Sequence, residues 1–288
     1  MTRTKSVLRK ALVPVAGRGT RLAPLTRVVP KALFPLVNSS GLVRAVLHVI
    51  LEQATRAGVE QIGIVVSPEH RKMLQQYVDS AKECDAGELA AAHVEFIVQP
   101  RPRGFGDAVL RGADFVGDEP FMLLLGDHLY LSNRNQLTCA EQVIRAFNTT
   151  GGVAVVGVQP APAGELSKVG VARGVSIRGR IYQCTDFVEK PDLQVAKDRL
   201  ITSGMPPDTF LAHCGIYVFT PDIFRCLSSV GRAVQTAGRA EVELAEAQTM
   251  LLNSHSEEYF LVKISGRAYD VGTPAGYARA CAVFRQRG

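Results

Sequence analysis

Two glycines stand among two arginines in Ala16-Gly17-Arg18-Gly19-Thr20-Arg21, directly after the apolar run from Ala11 to Ala16. Glycines at the end of an apolar strand let backbone N–H groups approach phosphate oxygens closely, and a guanidinium can add a two-pronged contact. The chemistry open to such a loop is the binding of a phosphorylated ligand. The loop lacks the Gly-Lys-Ser/Thr ending of a P-loop and the third glycine of a dinucleotide fingerprint. Taken alone, it serves equally well as a plain strand-to-helix turn.

Charge narrows the choice. From Met1 to Leu51 there are nine basic residues (Arg3, Lys5, Arg9, Lys10, Arg18, Arg21, Arg27, Lys31, Arg44) and no acidic one, yet the chain as a whole carries only +6, so the remainder is net acidic. The positive excess therefore sits with the glycine loop, as a polyanion site requires. Arg3 to Lys10 reads as a solvated basic tail, whereas Arg21 and Lys31 flank turn residues and apolar anchors. No nucleic-acid partner is expected, because no RNP-like aromatic run, basic helix or zinc-finger spacing accompanies the charge.

The elements that must position these residues follow from the periodicity. Ala11 to Ala16 reads as a strand, and apolar Val43, Val46, Leu47, Ile50 and Leu51 predict a helix over Leu42 to Ala54. Strands are expected at Gln61–Val66, His93–Val98 and Pro120–Leu125, with helices at His70–Lys82 and Asp107–Phe115 between them. That alternation is the mark of βαβ units, in which ligands bind outside the carboxyl ends of the strands. Further on, Val153–Val158 predicts a strand and the glycine-punctuated Val171–Val188 predicts hairpins, followed by a helix Leu193–Ser203, a strand Leu211–Phe219, a helix after Pro221 and another over Glu241–Leu252. A strand Tyr259–Ile264 and a helix Pro274–Arg285 complete the chain. With 288 residues, no linker and no repeat, one continuous α/β domain over residues 1–288 is expected.

Composition excludes several classes. The 47% hydrophobic and 21% charged content is that of a globular protein rather than a fibrous or disordered one. The longest apolar stretch, Leu42 to Leu51, is broken by Arg44 and His48 and falls short of the roughly 20 residues of a membrane span. Pro14 and the glycine loop after it argue against a signal peptide. The six cysteines, Cys84, Cys139, Cys184, Cys214, Cys226 and Cys281, have no zinc-site spacing and read as buried hydrophobes in a reducing cytoplasm.

The continuation of the loop is more specific. Gly17-Arg18-Gly19-Thr20-Arg21-Leu22-Ala23-Pro24-Leu25-Thr26, then Pro30-Lys31-Ala32-Leu33-Phe34-Pro35, resembles the signature of the sugar-1-phosphate nucleotidyltransferases. Within that family, Ala16 followed by a single glycine before Arg18 is more similar to the branch acting on UTP and glucose 1-phosphate than to the thymidylyltransferases. The resemblance runs from about residue 11 to 285 through further motifs. Gln99-Pro100 with Gly104-Phe105-Gly106-Asp107-Ala108 resembles the base-recognition stretch, where an amide offers donor and acceptor together. Leu125-Gly126-Asp127 resembles the metal-binding aspartate, although uridylyltransferases more often carry Pro-Asp-Val where Gly126-Asp127-His128 stands here. Val188-Glu189-Lys190-Pro191, with Gly170 before it, resembles the sugar-phosphate motif. Tyr269-Asp270-Val271-Gly272 resembles the element whose aspartate joins the first as a metal ligand. Glu241 to Ala247 matches the family's remaining helix only in part and is assigned no chemistry.

The resemblance thus implies a Rossmann-like (GT-A-like) α/β fold, a mixed but mostly parallel sheet with helices on both faces. It implies Mg²⁺ held by Asp127 and Asp270, a triphosphate on Ala16, Gly17, Gly19, Arg21 and Lys31, a base at Gln99 and Gly104, and a sugar phosphate at Gly170, Glu189 and Lys190. No general base is needed, since a phosphate monoester with second pKa about 6 is already largely anionic at pH 7. It further implies a homo-oligomer, dimer or tetramer, for which the apolar carboxy-terminal helix is the expected interface. A thymidylyltransferase or other sugar-1-phosphate nucleotidyltransferase, and a catalytically idle nucleotide-sugar-binding regulator, are the competing expectations.

Overall fold

The computed structural model describes residues 8–84 and 87–287, so Arg3 and Lys5 of the expected basic tail lie outside the described residues. Lys10 does not belong to a solvated tail. It opens β1 (Lys10–Pro14), and its ammonium donates to the carbonyls of Phe115 and Val116 at 3.1 and 3.0 Å and pairs with Glu119 at 2.9 Å. Unpaired carbonyls at a helix carboxyl end attract a cation, which draws this lysine down onto the protein.

Past Lys10 every residue of β1 is buried, as a central strand covered on both faces demands. Three short 3-10 turns (Thr20–Leu22, Leu25–Arg27, Lys31–Leu33) lead to a small antiparallel hairpin of β2 (Pro35–Val37) and β3 (Val43–Ala45). Helix α1 (Val46–Arg56) starts only there. The predicted start at Leu42 is four residues early because Asn38 Oδ1 accepts from the backbone N–H groups of Ser40 (3.1 Å) and Leu42 (2.9 Å), closing a turn that keeps the next residues extended.

The chain continues through β4 (Gln61–Val66), α2 (Arg71–Cys84), α3 (Glu88–Ala91), β5 (His93–Val98), α4 (Phe105–Arg111) and α5 (Ala113–Val116). The single helix predicted over Asp107–Phe115 is broken at Gly112, where a Cβ would lie 2.5 Å from Leu12 Cδ1 of β1. Next come β6 (Phe121–Leu124), β7 (His128–Ser132) and α6 (Cys139–Thr150), which opens with a reciprocal Thr138–Glu141 cap. Then follow β8 (Ala154–Pro162), β9 (Gly170–Arg178), β10 (Ile181–Glu189), α7 (Leu193–Arg199), β11 (Thr209–Phe219), α8 (Asp222–Thr236) and α9 (Leu244–Ser254). The chain closes with β12 (Tyr259–Lys263), β13 (Gly266–Asp270) and α10 (Pro274–Arg287).

Nine strands form one mixed sheet in the order β5-β4-β1-β6-β11-β8-β12-β10-β9. The block β5-β4-β1-β6 is parallel, and β11 enters antiparallel between β6 and β8. Alternate side chains of β1 serve two cores. Ala11 and Val13 pack with Leu47 and Ile50 of α1, Val143 of α6 and Phe284 of α10, while Leu12 packs with Val109 of α4, Leu227 of α8 and Leu251 of α9. This is the Rossmann-like α/β arrangement expected, with helices on both faces. Helix α10 places Ala280 and Phe284 in the core, so its most apolar side chains serve this chain itself. Among the described residues, no helix is long and apolar enough to cross a membrane.

Candidate active site

Strand order reverses at β1, whose neighbours are β4 on one side and β6 on the other. A crevice opens at the carboxyl ends of such strands, since the connections leave in opposite directions. Two loops meet there, one leaving β1 and the other leaving β6. Gly126 lets them touch: a Cβ on it would lie 2.3 Å from Val15 Cγ1 and 2.5 Å from the Pro14 carbonyl. The next residue, Asp127, is thereby set beside the glycine loop, where its carboxylate forms a short ion pair with Lys31. A Cβ on Gly17 would lie 3.9 Å from Lys31 Nζ, so the ammonium sits against the loop. Gly19 is left-handed (φ 60°) and accepts from Thr26 Oγ1 at 2.8 Å, which fixes the loop's return. Arg21 stands exposed in the first 3-10 turn, with no ion-pair partner among the described residues.

Asp270 arrives by a pairing that periodicity did not predict. Strand β13 runs antiparallel to β7 with Asp270 opposite His128, and Val271 N–H donates to the Asp127 carbonyl at 2.9 Å. One ligand atom each from Asp127, His128 and Asp270 lie within 4.8 Å of one another. Gly272 N–H holds Asp270 Oδ1 at 2.6 Å, and a Cβ on Gly272 would stand 2.8 Å from that oxygen and 3.4 Å from Asp127 Oδ2. Glycine thus keeps the space beside the carboxylates clear. Two carboxylates and an imidazole converging in this way can hold a divalent cation. Burial pushes the Asp127 carboxyl up, but the Lys31 ammonium and the His128 ring, which donates from Nδ1 at 2.9 Å, outweigh it. Asp127 is held well below the usual carboxylate range and stays ionised. His128 had no role in the sequence analysis; its adjacency to a strand-end aspartate was the available signal.

Gln99 follows β5 and is almost fully buried, at 5% exposure. Its Nε2 donates to Asp107 Oδ2 at 2.8 Å and to the Gly104 carbonyl at 3.1 Å. Gly104 adopts φ 95° and lies so close to α9's leading segment that a Cβ would meet the Val242 carbonyl at 2.6 Å. Gln99 and Gly104 are therefore brought together, and Asp107 is an addition. It also accepts from Arg111 at 3.0 Å.

Gly170, Glu189 and Lys190 form a second group. Gly170 opposes Glu189 across the β9–β10 ladder, and a Cβ on Gly170 would strike Phe187 at 2.6 Å and Glu189 Oε2 at 2.8 Å. Lys190, at φ 49°, pairs with Glu189 at 3.2 Å. Register carries the group toward the first one. Ile216 of β11 opposes Leu124 at the end of β6, so Leu211 and Ala212, five and four residues further back along β11, run on past that end. They pair with Ala172 and Val171, which brings Gly170 to the carboxyl-terminal edge of the parallel strands.

Beneath this group lies His213, stacked on Phe187 at 4.4 Å, with no partner for Nε2. Burial lowers its pKa from 6.5 to about 3. The unfolded chain therefore binds a proton below pH 6.5 that the folded chain refuses until about pH 3. Stability from this residue is complete above pH 6.5 and falls with acid by about 1.4 kcal/mol per pH unit. Urea denaturation of wild type and His213→Leu at pH 7 and pH 5 is expected to show the variant losing about 2 kcal/mol less over that interval. Parallel losses would show that His213 is protonated in the fold.

A family model described as nucleotidyl transferase matches residues 10–287. A UTP–glucose-1-phosphate uridylyltransferase of Staphylococcus saprophyticus is 31% identical over 94% of this chain and 90% of its own length. One from Bacillus subtilis is 31% identical over 96% of this chain and 91% of its own. A crystal structure of UDP-glucose pyrophosphorylase complexed with UDP-glucose superposes with a TM-score of 0.79 at 25% identity, covering 96% of this chain and 98% of that one. The loop between β1 and β2, the aspartates brought together by β6 and β13, and the match across the described sheet lead to one conclusion: this chain belongs to the nucleotidyl transferase family.

Proposed function

We propose that this protein transfers the uridylyl group of UTP to glucose 1-phosphate, giving UDP-glucose and pyrophosphate, with Mg²⁺ as its divalent cation. The observation that carries the reading is the meeting of Lys31, Asp127 and Asp270 beside the glycine loop, in a chain whose relatives carry that activity in their names. Residues 1–288 act as one nucleotidyltransferase domain, in the cytoplasm, where six unpaired cysteines remain reduced.

In this reading, backbone N–H groups of Ala16, Gly17 and Gly19, together with Arg21, bind the triphosphate. Asp127 and Asp270 would hold Mg²⁺, which supplies positive charge against the phosphate oxygens when bound. Glu189 accepts from sugar hydroxyls, Gly170 leaves the sugar room against the strand, and Lys190 holds the sugar phosphate as a compact point charge. A phosphate oxygen of glucose 1-phosphate attacks the α-phosphorus. The bond from that phosphorus to the bridging oxygen breaks, and pyrophosphate leaves with the electron pair. Lys31 meets the charge that grows during this exchange, so catalysis is a matter of alignment and neutralisation.

Pyrophosphate release with Mg²⁺ and glucose 1-phosphate, scanned over UTP, dTTP, GTP, ATP and CTP, tests the proposal. UTP is expected to be used best, with partial use of dTTP, since one methyl group is worth only about 1–3 kcal/mol of discrimination. A folded sample that binds UDP-glucose by calorimetry yet releases no pyrophosphate would replace this reading with the idle regulator.

A further inference from the structure

We infer that Asp107 and Arg111 form a positioning pair that sets which end of the Gln99 amide meets the nucleotide base, so that the pocket accepts a base with a ring N–H and rejects one with a ring acceptor. The inference rests on the reading, implied by the family resemblance, that Gln99 faces the base.

A glutamine amide has nearly the same shape either way round, and only its hydrogen bonds decide its direction. Here they leave no freedom. Both partners of the inward atom, the Asp107 carboxylate at 2.8 Å and the Gly104 carbonyl at 3.1 Å, accept hydrogen bonds and cannot donate them. The inward atom is therefore the NH₂ group, and both of its protons are spent within the protein. Oε1 accepts from no protein donor among the described residues and is not a sealed, unpartnered atom. It is the polar atom left for a ligand.

Asp107 is in turn unable to turn away. Its other oxygen accepts from Arg111, one helical turn further along α4, at 3.0 Å. The start of α4 is locked to the Val242 backbone, where Gly106 N–H donates to the Val242 carbonyl at 2.8 Å and a Cβ on Gly106 would lie 2.8 Å from that carbonyl. Gln99 and Asp107 are 5% and 4% exposed, so water cannot cheaply replace a bond that is lost. Uracil and thymine each bring a ring N–H to Oε1. Cytosine brings a bare ring nitrogen, which sets lone pair against lone pair. The pair thus sorts UTP and dTTP from CTP without separating UTP from dTTP.

Calorimetric titration of UTP and CTP into wild type, Asp107→Asn and Arg111→Met reads the device without needing turnover. Wild type is expected to bind UTP at least about a hundredfold more tightly than CTP. In Asp107→Asn the new NH₂, with its oxygen kept by Arg111, faces the amide NH₂ of Gln99 while the Gly104 carbonyl still accepts from it, so the amide is no longer held to one direction. The UTP-to-CTP affinity ratio should fall by about tenfold or more, through weaker UTP and stronger CTP binding together. Arg111→Met, at a half-exposed side chain, should shift the ratio the same way by less, and serves if Asp107→Asn fails to fold. In kinetics the change should appear in KM for UTP with kcat nearly kept, the sign of binding lost equally in ground and transition states. Equal weakening of UTP and CTP in both variants would overturn the inference and make Asp107 a purely structural residue. A wild type indifferent to UTP and CTP would overturn it too, while leaving uridylyl transfer standing. Absence of pyrophosphate release alongside a ratio that moves as stated would sink the proposed reaction and sustain the inference.

Discussion

Lys31→Ala is expected to lower kcat by about 10² or more while leaving the fold in place. Among the described residues Lys31 is the one ammonium held directly against Asp127, and both side chains are largely shielded, at 17% and 22% exposure. In that shielded setting a cation facing charge that grows at the α-phosphate is worth several kcal/mol more than in open water. Truncation leaves the Asp127 carboxylate with His128 as its remaining hydrogen-bond donor among the described residues, so a modest fall in thermal midpoint should accompany the kinetic loss. The two effects are separable. Turnover measured well below the midpoint, with KM for UTP less affected than kcat, isolates the part acting in the transition state. Unchanged turnover in Lys31→Ala would remove this lysine from the reaction.

Asp127→Asn should be more damaging still, with a loss of about 10³ in kcat and no remaining magnesium dependence. The amide matches the carboxylate in size, so the loop on Gly126 can keep its path over β1. What changes is charge. Asp127 is held ionised by Lys31 and His128, and a neutral amide in its place leaves the ammonium facing the cation site with nothing between them. Metal affinity should therefore fall more than the loss of one ligand alone implies. Mn²⁺ titration followed by electron paramagnetic resonance reads this directly, apart from activity. A variant that still binds Mn²⁺ and is still activated normally by magnesium would take Asp127 out of the metal site.

Much of the scaffold behind these residues was legible in the chain. The parallel strands announce themselves as buried apolar runs, because a strand covered on both faces has no polar side to show. The glycine loop, Lys31 and Gly104 could be singled out since each belongs to a local motif of fixed spacing. The start of α1 could not, because the side chain of Asn38 closes a turn there that hydrophobic periodicity does not encode. Strands β7 and β13 were also missed, being only five residues each and separated by more than a hundred residues.

What the sequence determined by itself is the chemistry on offer: a basic, glycine-bearing first segment, strand-end carboxylates, and a glutamate–lysine pair, in an order that resembles that of the nucleotidyl transferase family. What tertiary structure alone decided is which of them meet. Asp127 and Asp270 become neighbours only because β13 lies along β7, and Gln99 acquires a direction because the Asp107 carboxylate, held by Arg111, and the Gly104 carbonyl both accept from its NH₂. Such encounters depend on register between distant strands and on bonds across a loop. No local pattern records them, since each is fixed by burial and hydrogen bonding once the whole sheet has closed.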